Sequence, residues 1–374
     1  MLATAGLTLL ALFASVALTL AGKGAPLAVT HLAFAVGIVP LIFAAMLHFV
    51  PVLTRTGNPG RGLRLLPTAA QIIGLLVVAA LQGLLPYWVL HPAALSDLLL
   101  ALVLLSWIVV RARAALGRPH PGWRWYTAAL ACLILALAAV LGMLLWPQQW
   151  PALRLFHLHL NTLGLVGLAA LGTLPVLLPT ACVRPDPAAG AWLGRWLWPA
   201  FSGVVLIAGG SAWHWTLAAA GSGLLLAALL SLLWQWKRVF GWCLLLADGV
   251  TCSLLAATGG LALTLIAGLA HGLGLMSARL TLSAWVFGFL LPLVSGALSQ
   301  LLPVWRWPGP QLPARLEMRC RLAVGGGWRA LLFFAAAALA LAGFERLAVA
   351  GAAAALLLFA AALLRAMRVR RMAR

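Results

Sequence analysis

The chain has 374 residues, of which 64% are hydrophobic and only 8% charged. Soluble domains carry about 25% charged residues, so the composition excludes a water-soluble globule and indicates an integral membrane protein. The formal net charge of +20 would point to nucleic acid in a soluble chain. Here it is read as topology, with the lipid bilayer and not nucleic acid as the partner.

The opening run, MLATAGLTLLALFASVALTLAG, lacks a positively charged start and reads as a retained first span rather than a signal peptide. Apolar runs of about 17–25 residues, divided by Pro, Gly and Arg clusters, continue along the chain. They predict twelve transmembrane helices, at 4–21, 27–51, 67–87, 93–111, 125–146, 153–179, 195–212, 216–235, 242–269, 280–304, 327–344 and 347–366. The expected fold is all-α, a single polytopic membrane domain covering 1–374. Of the 25 Lys and Arg residues, all but Lys23, Arg154, Arg279 and Arg346 follow even-numbered spans. The positive-inside rule then puts both termini in the cytoplasm, and the Arg-rich single chain suggests a bacterial inner membrane. The cysteines (Cys132, Cys182, Cys243, Cys252 and Cys320) form no CxxC or CxxCH, which argues against thioether-bound haem and a cysteine metal site. Cys243 and Cys252 are expected on one helix, about 14 Å apart, as packing residues.

Three spans share a pattern. The second ends in FVPVLTRTG (49–57), the sixth in TLPVLLPTA (173–181) and the tenth in LLPVWRWPG (301–309). Each has a Pro-Val pair, at Pro51, Pro175 and Pro303, and eleven residues earlier a helix-weakening residue, Pro40, Gly164 and Pro292. An interval of four helices predicts a pseudo-threefold bundle of three four-helix sets. Secondary transporters more often show two related halves.

Chemistry-bearing residues are few. FHLHLN (156–161) sets His157 and His159 two positions apart, about 200° around a helix, so they face different neighbours. His157 shares its stripe with Asn161, Gly164 and Leu168 and is expected to face inward; His159 shares an apolar stripe with Leu163, Val166 and Ala170. His31 opens the second span at a similar depth. A neutral imidazole there suits axial ligation of haem iron, or copper, in competition with a simple hydrogen bond to a neighbouring helix. His271 and His214 reach such a site only if their turns fold inward; His48 lies about 25 Å further along the axis. Arg154 and Arg279 stand at outer helix ends, suited to haem propionates or to lipid headgroups. The five acids, Asp97, Asp186, Asp248, Glu317 and Glu345, offer no mid-membrane proton relay.

Twelve helices in three sets of four, with THLAFAVGIVPLIFAAMLHFVPVLTRTG (30–57) and FHLHLNTLGLVGLAALGTLPVLLPT (156–180), resemble the haem-copper oxidase subunit I superfamily. The likeness is closer to its small divergent members, the NnrS-type proteins of the nitric oxide response. It implies haem b, or copper, held by His31 and His157, with His159 and His271 in reserve. It also implies propionate contacts from Arg154 and Arg279, Asn161 beside the cofactor, and a redox partner or oxidase subunit. The oxidases place a tyrosine four residues after the sixth-span histidine and two histidines in the tenth span. Here those places hold Asn161 and none, so the full oxygen-reducing centre is not expected. The alternatives are a cofactor-free carrier or channel for a metal ion or small solute, with Asn161 and Gln300 as polar lining, and an oxidase assembly partner.

Overall fold

The structure, a computed structural model, describes residues 1–309 and 312–369. Its described residues form an all-helical protein. The helices are α1 (Leu2–Leu20), α2 (Pro26–Thr54), α3 (Arg61–Leu81), α4 (Tyr87–Arg113), α5 (Gly122–Leu145) and α6 (Pro147–Ala181). They continue with α7 (Ala189–Trp213), α8 (Trp215–Ala247), α9 (Gly249–Gly272), α10 (Ala278–Arg306), α11 (Leu312–Ala323), α12 (Gly326–Leu341) and α13 (Glu345–Ala366). Eleven of these are long and apolar enough to cross a membrane, and α11 with α12, bent by 42°, would make a twelfth only as a pair.

Three expectations change. The segment read as 327–344 is α12, 16 residues long, about 24 Å and short of a hydrocarbon core of about 30 Å. Its first turn follows Gly325, whose φ of +69° turns the chain out of α11. The arginine-rich stretch before it, read as loop, contains α11, because Leu, Arg, Glu and Met are all strong helix formers. Finally, the eighth span does not stop at 235. Lys237 and Arg238 continue the helix, the chain kinks at Gly241 (φ +71°), and Asp248 starts α9 by accepting the Val250 N–H at 2.8 Å. Cys243 and Cys252 therefore sit on opposite sides of a break rather than on one helix.

The chain packs as two compact units. The first comprises Ala3–Thr173 and Ala189–Leu225; the second comprises Leu174–Ala188 and Leu226 onward.

Helices α2, α6 and α10 each leave α geometry for a π-helical stretch, at Leu32–Ile38, Leu160–Leu168 and Val286–Leu290. These are the three spans that share the Pro-Val pattern. Counted back from Pro51, Pro175 and Pro303, the stretches overlap at Val36–Ile38, Leu160–Thr162 and Gly288–Leu290. In α2 and α10 a proline follows two residues after the π stretch, at Pro40 and Pro292. Proline has no N–H and its ring crowds the preceding turn, so a widened turn relieves it. In α6 the place is Gly164, where an added Cβ would stand 2.5 Å from the Cβ of Cys132 on α5.

Carbonyls around these turns gain side-chain donors. Gln71 Nε2 donates to Val36 O at 3.4 Å, the carbonyl that Pro40 cannot serve, and Thr8 Oγ1 donates to Gly37 O at 2.8 Å. In α6, Asn161 Nδ2 donates to His157 O and Thr162 Oγ1 to Leu158 O, both at 2.9 Å.

In the second unit arginines close helix ends. Arg319 donates to Ala181 O at the end of α6 (2.8 Å), to Gln300 Oε1 of α10 (2.9 Å) and to both oxygens of Asp248 (3.2 and 3.3 Å). Gln300, read as carrier lining, is held in this clamp. Arg321 donates to Arg365 O and Arg306 to Met367 O at the end of α13. Arg315 donates to Trp307 O and Gly309 O after α10. The fully buried Arg329 donates to Leu322 O and Val324 O after α11. Unpaired carbonyls and the helix dipole both favour a cation there.

Two outcomes follow from this packing. Gly260 of α9 lies against the backbone of Gly288 in the α10 π stretch with no room for a Cβ, whereas a Cβ on Gly259 meets only Phe334, at 3.9 Å. Gly260→Ala is expected to destabilise the purified protein by about 1–3 kcal/mol and Gly259→Ala to leave it near wild type, read as thermal unfolding in detergent. In the first unit, His120 lies in the turn before α5, where its N–H donates to Leu53 O at 2.9 Å and its Nδ1 accepts the Gly122 N–H at 3.3 Å. Burial holds its pKa below the usual 6.5. Protonation therefore favours the unfolded chain: stability is full above about pH 6.5, declines as pH falls toward the lowered folded value, then levels off. His120→Gln is expected to flatten that part of a stability–pH profile.

Candidate functional site

The first unit assembles the site. His31 is the last residue of the opening α-helical segment of α2, immediately before the π stretch at Leu32. His157 and His159 close the segment Trp150–His159 of α6, immediately before the π stretch at Leu160. All three rings are half-buried.

His157 Nδ1 lies 2.9 Å from Ala136 O on α5. A carbonyl only accepts, so Nδ1 carries the proton and Nε2 keeps its lone pair. His31 Nδ1 is tied in the same way to Leu27 O at 2.8 Å. Two neutral imidazoles, one on α2 and one on α6 of the same unit, thus each have Nδ1–H anchored on a backbone carbonyl and Nε2 left as donor to an electrophile. Metal-ligating histidines are commonly held in this way, with the other ring N–H donated to a carbonyl or carboxylate. Asn161 adjoins His157: besides holding His157 O, its Nδ2 is 3.4 Å from His157 Nε2.

His159 faces elsewhere, as the 200° rotation implies. Its Nδ1 bonds back to Leu155 O at 2.8 Å and its Nε2 stands 3.5 Å from Ser211 Oγ on α7. Arg154 is exposed, its guanidinium 5.5 Å from the Trp150 ring centroid, a stacked pair of the kind that lies at a headgroup boundary. His271 and Arg279 belong to the second unit. His271 is exposed at the end of α9 with Nδ1 2.8 Å from Met276 O. The Arg279 side chain, 78% exposed, pairs with Glu345 at 2.5 Å. Of the residues picked from the sequence the structure brings together His157 and Asn161, and it places His31 in the same unit. It adds one group that no residue pattern could have signalled, the carbonyl of Ala136.

Length and apolarity of the helices make this a multi-pass α-helical membrane protein. No protein-family model, curated protein or solved structure matches the chain.

The two α6 histidines differ in what they hold, which separates them experimentally. His157→Phe leaves Ala136 O without its side-chain donor and is expected to cost about 1–3 kcal/mol. His159→Phe removes only a bond back to its own helix and should cost clearly less. Thermal unfolding of the two variants in one detergent compares them directly.

Proposed function

We propose that the protein binds haem b between His31 and His157 and serves nitric oxide or respiratory redox metabolism in a bacterial inner membrane. The observation that carries this reading is the pair of imidazoles in the first unit whose Nδ1 protons are fixed on Leu27 O and Ala136 O, leaving both Nε2 atoms as donors. This donor set fits axial ligation of haem iron. Haem, when bound, supplies a redox-active iron that also takes diatomic gases. The chain's own groups orient the two rings and set their tautomer, and Asn161 offers an N–H beside the His157 ring. Among the described residues no three His, Cys, Asp or Glu side chains converge. The proposal is therefore a two-imidazole centre in a sensing, haem-handling or oxidase-partner role, without an assigned turnover.

The resemblance to oxidase subunit I brings with it a pseudo-threefold bundle and cytoplasmic termini. The matched π stretches of α2, α6 and α10 support the former, and the arginine distribution supports the latter. A cofactor-free carrier is the second reading, favoured by the same three interruptions. Against it, the carbonyls of Val36, Gly37 and His157 beside these interruptions already have side-chain donors.

Optical spectra of the detergent-purified protein, oxidised and dithionite-reduced, with pyridine haemochrome and metal analysis, test the proposal. A stoichiometric b-type signal, lost in His31→Ala and in His157→Ala, is the expected result. A colourless, metal-free protein from haem-replete cells would overturn it and move attention to transport assays.

A further inference from the structure

Five arginines of the second unit are held by partners within it, whereas several in the first are not. In the second, Arg306, Arg315, Arg319, Arg321 and Arg329 are committed to helix-end carbonyls or carboxylates. In the first, the side chains of Arg55, Arg61, Arg113 and Arg118 make no ion pair and no hydrogen bond among the described residues. Arg111 and Arg124 only lie over Trp107 and Trp123, with ring centroids 5.7 and 5.8 Å away.

These residues belong to one end of the unit. The N–H of His120 donates to Leu53 O, docking the 114–121 turn on the end of α2 beside the Arg55–Arg64 segment. The sole acid of the first unit is Asp97, in α4. It lies fourteen residues before Arg111, about 21 Å along the axis. The end is thus a group of like charges with no counter-charge among the described residues, which an external anion would offset.

Its apolar neighbours identify the anion. Leu116, two residues before Arg118, is 82% exposed, and Leu65, next to Arg64, is 64% exposed. Val52 and Val110, beside the ends of α2 and α4, are exposed by 67% and 61%. Guanidinium groups and stacked indoles at one end of the unit, with protruding aliphatic side chains beside them in the chain, match a headgroup layer over acyl chains. We infer that this end of the first unit is a binding site for anionic phospholipid, with Arg55, Arg61, Arg113 and Arg118 on headgroup phosphates and Leu65 and Leu116 in the acyl layer.

The full-length protein tests this. Thermal unfolding in neutral detergent is followed with added phosphatidylglycerol, phosphatidylcholine or inorganic phosphate, and retained lipid is counted by native mass spectrometry. Phosphatidylglycerol alone is expected to raise the midpoint and to stay bound. The R55Q/R61Q/R113Q/R118Q variant should keep the lipid-free midpoint and lose phosphatidylglycerol affinity by about fivefold per arginine. The matching lysine variant should retain most of it. Equal stabilisation by phosphatidylcholine or by inorganic phosphate would overturn the inference, as would unchanged lipid retention in the glutamine variant. So would an acidic polypeptide that binds the nanodisc-embedded protein equally well at every phosphatidylglycerol content. Should the glutamine variant unfold, brominated lipids decide on wild type: tryptophan quenching must be stronger from brominated phosphatidylglycerol than from brominated phosphatidylcholine.

Discussion

A backbone carbonyl that loses its amide partner inside a bilayer has no water to turn to. This chain loosens its helical ladder in three spans and sets side-chain donors on carbonyls beside the loosened turns. Gln71 serves Val36 O, Thr8 serves Gly37 O, and Asn161 and Thr162 serve the carbonyls of His157 and Leu158. That accounting explains why these polar residues stand in otherwise apolar helices. It also draws the candidate site into the same logic. His31 and His157 direct their Nδ1 protons at carbonyls, so the atoms left over for other chemistry are the two Nε2 lone pairs.

Much of the helical plan is legible in the residues, because a hydrocarbon slab imposes a minimum apolar length that few other constraints disturb. The failures come where charge was taken for a loop. Lys237 and Arg238 continue α8, with the Lys237 ammonium over the Trp234 ring at 5.1 Å. The α11 stretch is helical because its residues are strong helix formers, and the heads of Arg319 and Arg321 meet carbonyls at neighbouring helix ends. Apolarity alone cannot see either device. The candidate site was readable in part: the spacing of His157 and His159 separates their faces by geometry. The Ala136 carbonyl, the Ser211 neighbour and the Arg279–Glu345 pair depend on tertiary packing that no periodicity encodes.

The repeat is the point where pattern and structure reinforce one another. Pro51, Pro175 and Pro303 were only similar letters at similar spacing. The π stretches found at overlapping distances before them give the letters a common mechanical meaning, a widened turn that relieves a proline or a close helix crossing. Both candidate ligands sit on the last regular turn before such a widening. A widened turn re-aims the side chains around it without ending the span, and π segments frequently coincide with functional sites for that reason.

Counting positive charges, finally, hides a difference in timing. The Arg319 clamp ties Ala181, Asp248 and Gln300 to a residue 138 positions beyond the first of them. A chain threaded into the membrane from its N-terminus lays down α6, α9 and α10 before α11 is synthesised. Until then the end of α6 lacks this cap and the Asp248 carboxylate has no arginine beside it. The second unit is therefore locked from its last third, and a chain truncated before Arg319 would insert its helices without the bolt that holds three of them in register.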